Sequence, residues 1–177
     1  MASVITHPAI PLTITVALGP SVIPRRLAVL GIACSVLPDS DALGLFAGVP
    51  YGHLFGHRGF SHSIAFAVLA ATLATAFWRG LHASRAVVFG FVFLSTVSHG
   101  LLDALTNGGL GIAFFSPFSN RRYFLPWRIL EVSPIGLSAF LSRWGLRVLA
   151  SELLWVWVPC IIVGFIGISS RRSRGAA

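Results

Sequence analysis

The sequence predicts an all-α fold: a polytopic transmembrane bundle of about four to five helices, with metal-ligand loops on one face. Three observations carry this expectation. Hydrophobic residues make up 55% of the 177 and charged residues only 10%, with a mean hydropathy of +0.84. Five carboxylates and thirteen basic residues cannot cover the surface of a soluble domain of this size, so lipid is the simpler solvent. Apolar runs lie at 9–23, 27–37, 64–78, 86–105 and 153–169, of which the fourth and fifth approach the roughly 20 residues that cross a bilayer as helix. Acidic and histidine side chains gather where these runs end.

The chain reads as a single integral membrane domain, 1–177. It is laid out as an N-terminal helix pair over 9–37, a ligand loop over 38–63 and a helical hairpin over 64–106. An interfacial loop over 107–150, a C-terminal transmembrane helix over 151–170 and a basic tail over 171–177 follow. The first pair is short, and it dips in or completes its span with flanking residues. Pro20 and Pro24 punctuate the first connection, and Pro38 is expected to close the second helix. The long loop mixes Arg with Trp and Leu in FLPWRIL and LSRWGLR, as interfacial segments do. MASVITHPAIP lacks a basic n-region, so no cleaved leader is expected.

The net charge of +8 comes entirely from arginines scattered through loops and the C-terminus, so no nucleic acid partner is expected. The partner is the lipid bilayer. Cys34 and Cys160 lie in apolar runs and indicate no disulfide framework. Threading five helices puts Arg25, Arg26, Arg79, Arg85 and the RRSR tail on one side. His7, the 38–63 segment, the end of the fourth helix and the 107–150 loop fall on the other. Every candidate ligand therefore reaches one face. Seven arginines on the tail side against six on the site side lean towards a cytoplasmic tail and an external site.

Asp39, Asp41 and Asp103 lie beside or within hydrophobic helices, where an ionisable group costs several kcal/mol unless it is paired, wetted or bound to a cation. His99 and Asp103 are four apart and share a helical face, so they can chelate one zinc-like ion or simply hydrogen-bond to stabilise packing. In HRGFSHS, Gly59 permits a bend and Ser61 can cap the third helix. His57 and His62 then sit near a helix N-terminus that favours a phosphate, with Arg58 as its clamp, or they are interfacial histidines. In PDSD, Asp39 either caps a short helix from Ser40 or joins Asp41 as a hard oxygen ligand and general base. His7 is a further candidate ligand. His53 reads as a loop residue, His82 falls on the tail side, Glu131 is a loop carboxylate and Glu152 reads as a cap of the last helix.

On His7, PDSD at 38–41, HRGFSHS at 57–63, HGLLDALTNGG at 99–109 and SPFS at 116–119, the chain resembles the bacterial family of membrane-bound, inner-membrane-associated metal-dependent hydrolases. That family is itself similar to zinc-dependent phospholipases C and single-strand nucleases. The resemblance implies a multi-pass protein of the bacterial inner membrane in which His57, His62, His99, Asp103, Asp39 and Asp41 are metal ligands. The expected cofactor is one or two divalent ions, Zn2+ first. The expected activity is hydrolysis of a phosphate ester of a phospholipid or lipid-linked substrate, with Asp39 or Asp41 taking a proton and Arg58, Arg121 and Arg122 neutralising the phosphate. The alternative is a metal-binding membrane protein without catalysis, such as a transporter or sensor.

Overall fold

A computed structural model describes residues 1–134 and 136–175; position 135 in the long loop and the last two positions of the expected basic tail lie outside the described residues. The architecture is the helical bundle that composition demands. In order it contains α1 (Ala9–Leu18), α2 (Arg25–Val36), α3 (Ala42–Phe46), α4 (Ile64–Thr75), α5 (Arg85–Ala104), α6 (Leu137–Phe140), α7 (Arg143–Glu152) and α8 (Val158–Gly175). Two isolated β-bridges, Thr106 with Leu130 and Ile112 with Tyr123, are the extended pairing among the described residues.

Three helical stretches are long and apolar enough to cross a membrane: Arg25–Phe46, Arg85–Ala104 and Arg143–Arg174; Ala9–Leu18 and Ile64–Thr75 are shorter apolar helices. Two boundaries differ from the sequence expectation. Pro38 does not close the second run, because it occupies the first turn of a 3-10 segment, Leu37–Asp41, where a missing N–H leaves nothing unpaired. The helical path thus continues into α3. The last helix starts well before 151: Ser142 caps α7 by accepting from the Trp144 N–H, and a π turn at Leu153–Trp157 joins α7 to α8. The Arg and Trp of LSRWGLR are helical, with Arg143 and Arg147 on an amphipathic first turn or two rather than in a loop.

α5 is central, with α4 and α2 packed along it, while α1 packs on α8. Gly31 lets the Phe91 ring and the Ser95 hydroxyl come close, since a Cβ there would lie 2.9 Å from Ser95 Oγ. Small residues at such seams are how membrane helices gain contact when lipid and Leu are equally apolar. Ile161, Ile162, Phe165 and Ile166 of α8 are exposed, the face that lipid covers. At one end Arg26 Nη1 donates to the Gly80 carbonyl at 3.1 Å, and Arg171 Nη2 donates to the Val16 carbonyl at 2.8 Å. The turns at 19–24 and 76–84 and the end of α8 therefore share that end.

Glu152 is not a cap of the last helix. It is wholly buried and accepts from the Ser3 N–H, from Ser3 Oγ at 2.6 Å and from Thr6 Oγ1 at 2.8 Å, pinning the segment before α1 to the α7/α8 junction. Glu152→Ala is expected to strand three buried donors and lower stability by about 2–4 kcal/mol, as hydrogen bonds to a charged acceptor do, with Glu152→Gln losing less. Thermal unfolding in detergent and proteolysis of the N-terminal segment measure this.

Candidate metal centre

The other end of the bundle is assembled around the C-terminal turns of α5. The helix period puts His99 and Asp103 on one face, and both are wholly buried. The carbonyl of Ser35, in the last turn of α2, accepts from His99 Nδ1 at 2.7 Å. Asp39 and Asp41 follow from the 3-10 turn after α2. His62 arrives on a second 3-10 turn, Phe60–His62, against α5 at Gly100, where a Cβ would stand 2.9 Å from the His62 carbonyl. The cap of α4 is Ser63, which accepts from the Phe66 N–H, and not Ser61. His7, from the turn before α1, stacks on His99 with ring centroids 3.7 Å apart.

The proton positions follow from the partners. Ser35 offers only an acceptor, so His99 Nδ1 carries the hydrogen. His62 Nδ1 faces Asp41 Oδ2 at 3.1 Å and Ser61 Oγ at 3.0 Å, with the Ser61 hydroxyl itself donating to Asp41, so His62 Nδ1 is also the protonated nitrogen. With both rings neutral, the two Nε2 atoms present lone pairs to each other at 3.0 Å. Asp39 Oδ1 lies 3.3 Å from His99 Nε2, Asp103 Oδ2 lies 3.7 Å from His62 Nε2, and His7 Nε2 lies 3.7 Å from Asp39 and 3.6 Å from Asp103. Both nitrogens of His7 and both oxygens of Asp39 are buried without a hydrogen-bond partner, as is Asp103 Oδ2.

Acceptors that converge without donors fit a cation. One atom each from Asp39, His62, His99 and Asp103 lie within 4.8 Å of one another. Donors about 2.0–2.1 Å from a tetrahedral zinc stand about 3.3 Å apart, close to the spacings found. Charge agrees: Asp39, Asp41 and Asp103 face the Arg58 guanidinium and the Met1 amino group, whose pKa burial lowers to about 6, leaving two negative charges at neutral pH when that amine and the imidazoles are uncharged. Mixed imidazole and carboxylate donors suit zinc and its divalent neighbours.

A model of the family described as YdjM inner membrane protein matches residues 1–174. The chain belongs to this family. It is 43% identical over 164 residues to "Inner membrane protein YbcI" of Escherichia coli (strain K12), covering 92% of this chain and 95% of that protein. No solved structure matches. With its long apolar helices, the chain is a multi-pass protein of the bacterial inner membrane.

In this YdjM-family chain Asp41 and His57 form a second such group with His62, one atom from each lying within 4.8 Å of the others, so that His62 belongs to both. Asp41 accepts from His57 Nδ1 at 2.6 Å, from the Arg58 N–H at 3.2 Å, and from Ser61 and His62. Both its oxygens are engaged here in orienting imidazoles, and His57 lies edge-on to His62 at 5.5 Å. Asp39 caps nothing, since no hydrogen bond reaches it.

Arg58 is not a free phosphate clamp. It is wholly buried, donates to the Gly108 carbonyl at 2.8 Å and Thr106 Oγ1 at 3.0 Å, and pairs with Asp103 at 3.3 Å. Gly109, at φ 86°, makes room for its guanidinium. Arg122 is likewise engaged, with the carbonyls of His57 and Tyr51 at 3.0 Å, while Arg121 is exposed beside Tyr123. His53 accepts from the Phe55 N–H, and His82 lies at the far end beside Arg26. The Glu131 N–H donates to Ser151, and its carboxylate is outside the donor group. Ser35 was unmarked by motif, while Ser61 and Glu152 were marked only as helix caps. For Glu152 the signal was present: a carboxylate against LLWVW is as anomalous as Asp103.

Asp41→Asn is expected to lower metal affinity about 10- to 100-fold by releasing His57 and His62, as loss of a partner behind a ligand does, measured by competition with a chelating dye. Burial pushes His7 down from 6.5 to about 3, with the neighbouring His99 acting the same way, and burial also lowers His62. The unfolded chain then binds more protons than the folded one between about pH 6.5 and 3, so stability falls as pH drops through that window. Chelator-treated protein is expected to lose thermal midpoint there, less steeply in His7→Asn.

Proposed function

We propose that this inner membrane protein binds a divalent cation, zinc first, and hydrolyses a phosphate ester of a lipid or lipid-linked substrate at the membrane surface. The observation that carries the reading is the facing pair of Nε2 atoms on His62 and His99, ringed by His7 and Asp39, whose side-chain polar atoms have no hydrogen-bond partner, and by Asp103, which pairs with Arg58. These five residues would hold the ion. Such an ion, when bound, supplies a Lewis acid for the phosphoryl oxygen and acidifies water. Asp39 is the group suited to take a proton: its side chain is 8% exposed, at the rim, and no donor occupies its oxygens. Ser35 and the Asp41–Ser61 pair keep the imidazoles in the tautomer that faces inward. Arg58 balances Asp103.

The crowding of polar groups at one end favours a surface enzyme over a transporter, which needs them across the bundle. A second reading, metal binding without catalysis, is favoured by one feature: His99, Asp103 and Arg58 are wholly buried, and Arg58 and Arg122 are already paired.

Elemental analysis of detergent-purified protein is expected to find about one ion per chain, lost from the His99→Ala, Asp103→Ala double variant and from the milder Asp39→Asn. Equal metal in all three would sink the site. With metal present, turnover of phosphomonoester or phosphodiester lipids supports the hydrolase; none with either moves the assignment to the second reading.

A further inference from the structure

The donors of the metal centre come from two packing units. Asp39, His62, His99 and Asp103 belong to the body in which α2 and α4 pack along α5, whereas His7 enters on the turn before α1, and α1 packs on α8. What fixes the His7 turn lies on the last long helix. The Thr6 hydroxyl, one residue before His7, donates to Glu152 Oε2 at 2.8 Å and accepts from Trp157 Nε1 at 3.1 Å. Glu152 and Trp157 are five residues apart, a separation that an α-helix of 3.6 residues per turn sends to different sides. The π turn at Leu153–Trp157, with its i→i+5 spacing, brings them to the same side, so both reach one hydroxyl. Such turns are rare and frequently sit at functional sites. His7 is wholly buried, and neither of its ring nitrogens has a hydrogen-bond partner. Its ring is therefore placed by the stack on His99, at 3.7 Å, and by the backbone that Thr6 anchors.

We propose that Trp157 and Glu152 are positioning residues for the metal centre: through Thr6 they set whether His7 reaches the ion, and so tie the ion's coordination number to the seating of α8. This rests on the proposed metal centre and adds to it a ligand governed from another helix. Asp39, His62, His99 and Asp103 supply four donors, enough for a tetrahedral divalent cation. His7 Nε2, 3.7 Å from Asp39 and 3.6 Å from Asp103, supplies a fifth. A ligand carried by a separate helix pair, with no hydrogen bond from its own ring, is the one that a shift of that pair withdraws. Its withdrawal opens one coordination position.

Full-length protein in detergent, loaded with Co2+, reads this directly, because four-coordinate Co2+ absorbs visible light more strongly than five-coordinate Co2+. The native chain is expected to give the weaker spectrum and His7→Ala the stronger. Trp157→Phe keeps a ring and loses the Nε1–H; it and Thr6→Val are expected to move the spectrum towards that of His7→Ala and to lower Co2+ affinity about 10-fold, as loss of a partner behind a ligand does. Thr6→Ser, which keeps the hydroxyl, is expected to retain the native spectrum. In the His7→Ala background Trp157→Phe is expected to change neither spectrum nor affinity further, since residues acting through one ligand are not additive. A native spectrum in both Trp157→Phe and Thr6→Val, or an equal loss of affinity from Trp157→Phe with and without His7, would overturn this proposal and leave the metal centre standing. A native chain that takes up no Co2+ would overturn both.

Discussion

Asp39 and Asp103 are buried against three imidazoles with too few donors to hold them, and the rest of the bundle is arranged around that constraint. An ionised carboxylate removed from water loses several kcal/mol of solvation unless charge or hydrogen bonds replace it. Asp103 receives the Ala2 N–H at 2.6 Å and the Arg58 guanidinium. Asp39 receives nothing. The compensation still wanting is a positive charge, which is why a divalent cation and the observed donor set belong together.

Meeting that constraint draws in segments remote along the chain. Arg58 must reach Asp103 from the far side of the 38–63 segment, and it does so from a left-handed backbone position, φ 64°, that few non-glycine residues adopt. Its guanidinium then ties down the 106–109 turn through Thr106 and Gly108. Glu152 does the equivalent for the other flank. By anchoring Ser3 and Thr6 to the start of the last long helix, it delivers His7 onto His99. Trp157 Nε1 donates to the same Thr6 hydroxyl at 3.1 Å, so the approach of α8 and the placement of His7 are one event.

The two ends of the bundle divide the chemistry. Hydroxyls inside α5, Ser95 and Thr96, return their hydrogen bonds to carbonyls one turn back and leave the middle of the helix without a free polar group. The carboxylate–imidazole cluster, with Arg58 and Arg122 beside it, occupies one end, and at the other Arg26 and Arg171 hold backbone carbonyls. Twenty residues of α5 span about 30 Å, so the two ends sit at opposite boundaries of the hydrocarbon.

Composition alone determined that this chain lives in lipid, and the apolar runs determined the helices, because nothing else satisfies a backbone there. The convergence of His7, Asp39, His62, His99 and Asp103 on one end was legible too, since counting turns and the cost of intramembrane charge both point to it. Roles within the cluster were not. Asp39 and Asp41 are two residues apart in one motif, yet one is bare and the other saturated; that difference depends on His57, Ser61 and His62 arriving from a separate turn. Arg58 beside two histidines looks like a phosphate clamp until the fold places Asp103 within 3.3 Å of it. Pro38 breaks a helix in isolation and opens a 3-10 turn in context. Residue type and spacing set which groups are expensive to bury, but which partner relieves each one is a matter of distances between segments far apart in the chain, and only the tertiary structure decides those.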